Sequence, residues 1–279
     1  MVTALLRVAC LAGGLSLVGA AAEARPERVV SVNLCTDQLA LMLAAPRQVI
    51  SVSYLAQDPL LSVMRERALD IPVNHASAEE VFLLRPDLVL AGATTPPEAL
   101  RLLRRLGVPV EVFPPETSFQ DIRDNLLRMG RALDREARAE AVLAQFDADL
   151  AALQDHPADP PSAVLYAANG YVAGDESLAG AMLAAAGYRN LASDFGIRHG
   201  GNLPLEELAL AQPDLVVVSE RNPGHARAEE MLDHPALRHL LERQSREVIS
   251  DRDWACGTPH VLRAVADLRA LRTGEKLPK

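Results

Sequence analysis

Between Asp134 and Asp155 the chain reads DREARAEAVLAQFDADLAALQD, in which Ala139, Leu143, Phe146, Leu150 and Leu153 recur at alternating steps of four and three. That spacing lays the apolar side chains along one face of an α-helix. Asp134 is placed to cap the helix at its start, and Pro157 lies just past its end. Neither Gly nor Pro interrupts the stretch, so 134–156 is expected to be one helix roughly 33 Å long.

On both sides of this helix short β-branched runs alternate with helical patterns. Upstream, strands are expected over Arg28–Val32, Gln48–Ser53, Ile71–Val73, Asp87–Ala91 and Val108–Phe113. Helices are expected at Gln38–Ala45, Leu60–Ala68, after Ser77, from Pro97 to Gly107 and over Ser118–Leu133, with Ser77 and Glu80 at capping-box spacing. Downstream, strands at Ala163–Ala167, Leu215–Ser219 and Val248–Ser250 alternate with helices at Ser177–Ala186, around Glu206 and at His260–Leu271. Gly-rich loops are expected at Asn169–Gly174 and Asp194–Asn202. One phrase occurs twice: Glu79 and Glu206 each stand seven residues before a Pro-Asp-Leu-Val. Alternating strands and helices predict mostly parallel sheets with helices on both faces. The fold class is therefore α/β: two Rossmann-like lobes with parallel sheets, 25–133 and 157–279, joined by one long bridging helix, 134–156.

The 279 residues are long enough for two modest cores. A net charge of −9 argues against nucleic acid and anionic lipid as general partners. Residues 1–24 read as a signal peptide: Arg7, an apolar run Val8–Ala22, then Ala22-Glu23-Ala24 as a small-x-small cleavage site. The mature chain then begins near Arg25 in an exported, oxidising compartment. Two cysteines remain in it, Cys35 and Cys256, near opposite ends. They are open to three readings: metal ligands, a disulfide, or small buried residues of helix-start turns. The chain has no GxSxG, Walker loop, HExxH or GxGxxG, so no catalytic motif is legible.

Several pieces together resemble a known family. RVVSVN near the start, the duplicated E-x6-PDLV, LRRLGVPV ending at Val110, the mid-chain helix, and SDRDW with TPHVL near the end are similar in order and spacing to the periplasmic substrate-binding proteins for metal chelates. That family includes the cobalamin- and ferric-siderophore-binding components of ABC importers. The resemblance implies two lobes on a single helix with limited hinge opening. It implies a metal chelate in the cleft, a ferric siderophore or a corrinoid, with no cofactor required and no catalysis. It also implies a periplasmic monomer that delivers its load to an ABC permease at the inner membrane. The alternative is an exported enzyme, or a metal- or haem-handling protein, using Cys or His of the same cleft.

On this resemblance Glu79 and Glu206 match the acidic residues that meet permease arginines. Tyr54 matches a pocket aromatic, Tyr171 lies in the corresponding loop region of the second lobe, and Asp253 aligns with a ligand-contacting acid beside Trp254, the only tryptophan. Aromatic rings in a cleft suit flat or bulky chelates. Where the cobalamin-binding relatives carry further tryptophans, this chain offers His75 and His199. With Cys35 and Cys256, these form a candidate set of soft or borderline ligands for an exposed metal site of the chelate.

Overall fold

The computed structural model describes residues 25–219, 234, 235, 237, 245–249 and 251–275. The expected signal peptide, 1–24, lies outside the described residues. The first lobe is built from β1 (Val29–Ser31), α1 (Leu34–Leu43), β2 (Val49–Ser53), α2 (Arg65–Ala68), β3 (Val73–Asn74), α3 (Ala78–Leu83), β4 (Leu88–Gly92), α4 (Pro97–Arg105), β5 (Val110–Phe113) and α5 (Phe119–Leu133). Its five parallel strands run in the order β3-β2-β1-β4-β5. The order reverses between β1 and β4, which opens a crevice at the carboxyl ends of those strands.

The bridging helix is α6 (Glu136–Leu153). The second lobe follows with β6 (Ser162–Tyr166), β7 (Tyr171–Ala173), α7 (Leu178–Ala185), β8 (Arg189–Asn190), β9 (Gly200–Asn202), α8 (Leu205–Ala211), β10 (Leu215–Ser219), β11 (Ser245–Ile249) and α9 (Val261–Thr273). Its sheet runs β11-β10-β6-β7-β9, with β8 beside β6. β10 is parallel to both β6 and β11. The two stretches expected as Gly-rich loops instead supply β7 and β9, and both pairings there are antiparallel. The second sheet is therefore mixed. Close approach makes this possible: a Cβ on Gly200 would run into the Tyr171 hydroxyl.

Alternation along the strands divides the core into layers. Val29 of β1, Ala163 and Leu165 of β6, and Leu215 and Val217 of β10 point into one apolar cluster that spans both lobes. Their neighbours face outward. Val30 and Val32 join Val81, Leu100 and Leu103 under α3 and α4. Val164, Tyr166, Val216 and Val218 join Leu205 and Leu208 under α8.

The duplicated phrase does the same structural work twice. Asp87 accepts from the backbone N–H groups of Glu27 and Arg28 at the start of β1, and Asp214 accepts from Ser162 N–H at the start of β6. Both copies turn through a left-handed residue two positions earlier, Arg85 (φ 49°) and Gln212 (φ 48°).

The apolar stripe of α6 is placed as its spacing requires. Ala139, Phe146 and Leu150 are buried, and Leu143 and Leu153 pack partly buried against the same cluster. Phe146 meets Phe119 of α5 with ring centroids 6.2 Å apart, and the Arg123 guanidinium sits 5.6 Å over its ring. The start of α6 is tied to the first lobe through Arg135 N–H to Gly130 O at 2.7 Å. Its end is tied to the second lobe through Asp155 N–H to Ala185 O at 3.0 Å, Arg269 to Ala152 O at 2.9 Å, and an Arg272–Asp155 ion pair. Asp134 is not the N-cap of this helix. It is the left-handed C-cap of α5 (φ 55°, ψ 49°), and α6 begins two residues later without a side-chain cap. The turn between two helices claims the residue that capping preference alone would assign to the second.

Two other boundaries move for local reasons. α1 begins at Leu34 rather than Gln38, because Asn33 caps it by accepting from Cys35 N–H at 3.0 Å. The helix expected over 60–68 shrinks to Arg65–Ala68, because Asp58 accepts from the N–H groups of Leu60 and Leu61 and holds a turn there. Ser77 caps α3 by accepting from Glu80 N–H. The return bond of the capping box is not made, since Glu80 reaches past Ser77 to His75 N–H at 2.8 Å.

Candidate functional site: the crevice between the lobes

A cavity of about 400 Å³ lies where the carboxyl ends of β1, β4 and β5 face the second lobe. The first lobe contributes Asn33, Cys35 and Thr36 at the start of α1, Gly92–Thr94 after β4, and Phe113–Glu116 after β5. The second lobe contributes Tyr171 and Ala173 of β7, Ser177–Ala179 at the start of α7, and the loop carrying Trp254, Ala255 and Gly257. Three rings, Phe113, Tyr171 and Trp254, make the wall predominantly apolar. Among the described residues no Arg, Lys or His lines it.

Each polar group at the wall is held by its own element. Asn33 caps α1 and donates from Nδ2 to Thr94 Oγ1 at 3.2 Å. Ser177 caps α7, accepting from Gly180 N–H at 3.1 Å. The one carboxyl, Glu116, accepts from Asn125 Nδ2 at 2.5 Å. Burial pushes this carboxyl above its ordinary range, against the pull of Asn125 and of the Gly257 backbone. The Gly257 loop crosses so close that a Cβ there would collide with the Glu116 side chain. Glu116 is thus a point of contact between the lobes.

Behind the wall stands Asp37 of α1, fully buried. It accepts from Ser53 N–H at 3.1 Å and from Ser53 Oγ at 2.5 Å. Burial outweighs these bonds and pushes its pKa up to about 7.

Cys35 and Cys256 are joined as a disulfide, with Cα atoms 5.1 Å apart. The bond ties the start of α1 to the loop before α9, at the edge of the cavity. This corrects the metal-ligand expectation for the pair: in a disulfide neither sulfur is a thiolate, so neither can ligate a metal or act as a nucleophile. No cluster of three or more His, Cys, Asp or Glu suited to a metal ion occurs among the described residues.

The other sequence candidates separate. Tyr171 and Trp254 line the cavity. Tyr54 and His75 stack on each other, ring centroids 5.4 Å apart, at the ends of β2 and β3. They share the carboxyl edge of the sheet but stand outside the lining, and His75 Nδ1 is 3.4 Å from Glu80 Oε1. His199 is exposed and paired with Glu176 at 3.2 Å. Asp253 faces a different groove, of about 1410 Å³, alongside α6 and α9. There Arg263 pairs with Asp253 Oδ1 at 3.6 Å, beyond hydrogen-bonding range, and that oxygen has no hydrogen-bond partner among the described residues. His260 lines the same groove, and burial lowers its pKa to about 4, with Arg263 and Arg67 adding to the effect.

Glu79 and Glu206 sit in the first turns of α3 and α8. Both are exposed, and neither makes an ion pair or side-chain hydrogen bond among the described residues.

Sequence reasoning missed Phe113, Glu116, Asn33 and Thr94. A usable signal was present for the first two. Pro114-Pro115-Glu116 directly follows an expected strand, and residues at the carboxyl edge of an α/β sheet are the first candidates for ligand contact.

The family description "Periplasmic binding protein" matches residues 29–253. The cobalamin-binding protein of Halobacterium salinarum is 30% identical over 200 residues, 70% of this chain and 54% of that protein. The ferric enterobactin-binding periplasmic protein FepB of Escherichia coli O6:H1 is 28% identical over 184 residues, 60% of this chain and 57% of that one. The chain thus spans little more than half the length of these relatives. Among solved structures, the periplasmic heme-binding protein RhuT from Roseiflexus sp. RS-1 in apo form superposes with a TM-score of 0.71 at 27% identity, covering 88% of this chain and 97% of that one. The sequence match over most of the chain, the two lobes on one helix and the crevice between them agree: this chain belongs to the periplasmic binding protein family.

Proposed function

We propose that this chain is the solute-binding component of an ABC importer, capturing a metal chelate in the crevice between its lobes and handing it to a membrane permease. The carrying observation is the cavity itself. It lies at the facing edges of the two lobes, has the volume of a small-ligand site and is walled by three aromatic rings. An apolar wall with no described basic group suits a compact ferric siderophore of low charge. A cobalamin-type corrinoid is the second reading, favoured by the similarity to the Halobacterium protein. On this reading Tyr171 and Trp254 stack on the ligand, Tyr54, His75 and His199 approach it from the rim when it fills the cleft, and Asp253 steadies the loop that carries Trp254. Residues 1–24 direct export to the periplasm. Glu79 and Glu206, an exposed carboxylate on each lobe, fix orientation on a basic permease surface.

The test is direct. The mature protein is titrated with a neutral ferric trihydroxamate, a ferric tricatecholate and cyanocobalamin, following melting temperature and equilibrium dialysis. A saturable ligand from this set raises the melting temperature, and Tyr171→Ala weakens its binding roughly tenfold or more. If none of the three binds, the chelate reading fails.

A further inference from the structure

The two most exposed large apolar side chains among the described residues are Leu83, at 79%, and Leu210, at 84%; the next, Tyr54, is at 53%. They are not scattered. Each lies four residues after the duplicated glutamate, Leu83 after Glu79 and Leu210 after Glu206, and each precedes by two the left-handed residue that ends its helix. On a helix a step of four brings two side chains onto one face, one turn apart. Each lobe therefore presents the same pair: an exposed carboxylate without an ion-pair partner among the described residues, and a leucine out in water. In the first lobe the adjacent Glu80 is taken up by His75, which leaves Glu79 as the free charge.

We propose that Leu83 and Leu210 are the apolar anchors of a two-point docking surface, and that its occupant is the periplasmic face of the membrane permease. The inference rests on the docking role given above to the glutamates and adds the contact that makes it tight. Two features select this occupant. A surface repeated once per lobe fits a partner that also offers its site twice. A carboxylate flanked by a leucine fits a basic side chain with an apolar notch beside it, because covering the leucine keeps water from the ion pair. Isolated exposed leucines are common; two at the same position of an internal repeat, each beside an exposed carboxylate, form a pattern that a solvated surface does not require.

The experiment uses labelled mature protein and right-side-out inner-membrane vesicles from the native host, with excess unlabelled protein as competitor. Leu83→Ser and Leu210→Ser are each expected to weaken saturable binding roughly tenfold, and the double variant on the order of a hundredfold. Melting temperature and chelate binding stay at wild-type values, since neither leucine touches the cavity. Glu79→Gln with Glu206→Gln is run in parallel. If the glutamate variant loses binding while the leucine double variant keeps it, the leucine proposal is wrong and the docking reading stands. If neither variant loses binding, or the wild type shows no saturable binding, both fall. If light scattering shows a wild-type dimer that the leucine variants dissociate, the surface belongs to a second copy of the chain and the proposal is overturned.

Discussion

Cutting the Cys35–Cys256 bond separates the two devices that hold the lobes together. The bond closes a loop of 221 residues. The entropy it removes from the unfolded chain grows with the logarithm of loop length, which for this loop gives a ceiling of about 5 kcal/mol, against about 2–4 kcal/mol for most measured bridges. The double variant C35S/C256S avoids leaving a lone thiol. At about 2–4 °C per kcal/mol for a chain of this size, its melting temperature is expected to fall by roughly 5–15 °C. In urea its midpoint drops and its m-value rises, because the uncrosslinked unfolded chain exposes more surface. The native spacing of the lobes should not change, because α6 is bonded to α5 at one end and to α7 and α9 at the other. Small-angle scattering of the folded variant should therefore give the wild-type radius of gyration. An unchanged urea midpoint would refute the stabilising role of the bridge. An expanded native radius would refute the claim that the helix sets the separation.

Three further outcomes concern Asp37, Asp214 and Phe146. Asp37 has a folded pKa raised from 3.8 to about 7, so its contribution is fully present below its unfolded pKa and is lost as pH rises to and through 7; D37N should flatten the loss of stability seen by denaturation between about pH 4 and 7, by on the order of a few kcal/mol. Asp214 is held below the ordinary carboxylate range by the Ser162 N–H and hydroxyl, so its contribution is present above the unfolded pKa and fades as pH falls through the folded one. D214N should therefore lower the urea midpoint at pH 7, and by less as pH falls below the ordinary carboxylate range. Phe146→Ala removes the largest ring of α6 from the shared cluster and should cost about 3–5 kcal/mol in chemical denaturation; a loss below about 1 kcal/mol would show that the α5–α6 contact does not hold the lobes.

What could be read from the sequence was what periodicity encodes. The stripe from Ala139 to Leu153, the strands of the first sheet and the twofold E-x6-PDLV phrase each state a local rule, and the chain obeys it. What could not be read depends on contacts between distant segments. β7 and β9 are three residues each; β9 is Gly-Gly-Asn, and β7, Tyr-Val-Ala, is set between Gly170 and Gly174, so neither gives the longer β-branched run that marks a strand. Asp134 has the chemistry of a helix start, and only the packing of α5 on α6 makes it a helix end. Cys35 and Cys256 were open to three readings, metal ligands, a bridge or small buried residues, until the fold set their Cα atoms 5.1 Å apart. Nothing in the local pattern marks Asp37 for burial, which comes from β2 closing over it through Ser53. The same holds for the cavity, which takes its wall from six separate segments, so that Tyr171 and Trp254 were visible by their rarity while Phe113 and Glu116 were not.

The continuity of the central apolar cluster has a consequence for how the molecule comes into being. It opens with Val29 and is completed by Val261, Val265 and Leu268 on the last helix. A polypeptide emerging from the ribosome therefore cannot finish its main core until almost its entire length has been made. On the export route proposed above for residues 1–24, that late closure is useful: the nascent protein stays loose while it must be pulled, and sets only on the far side.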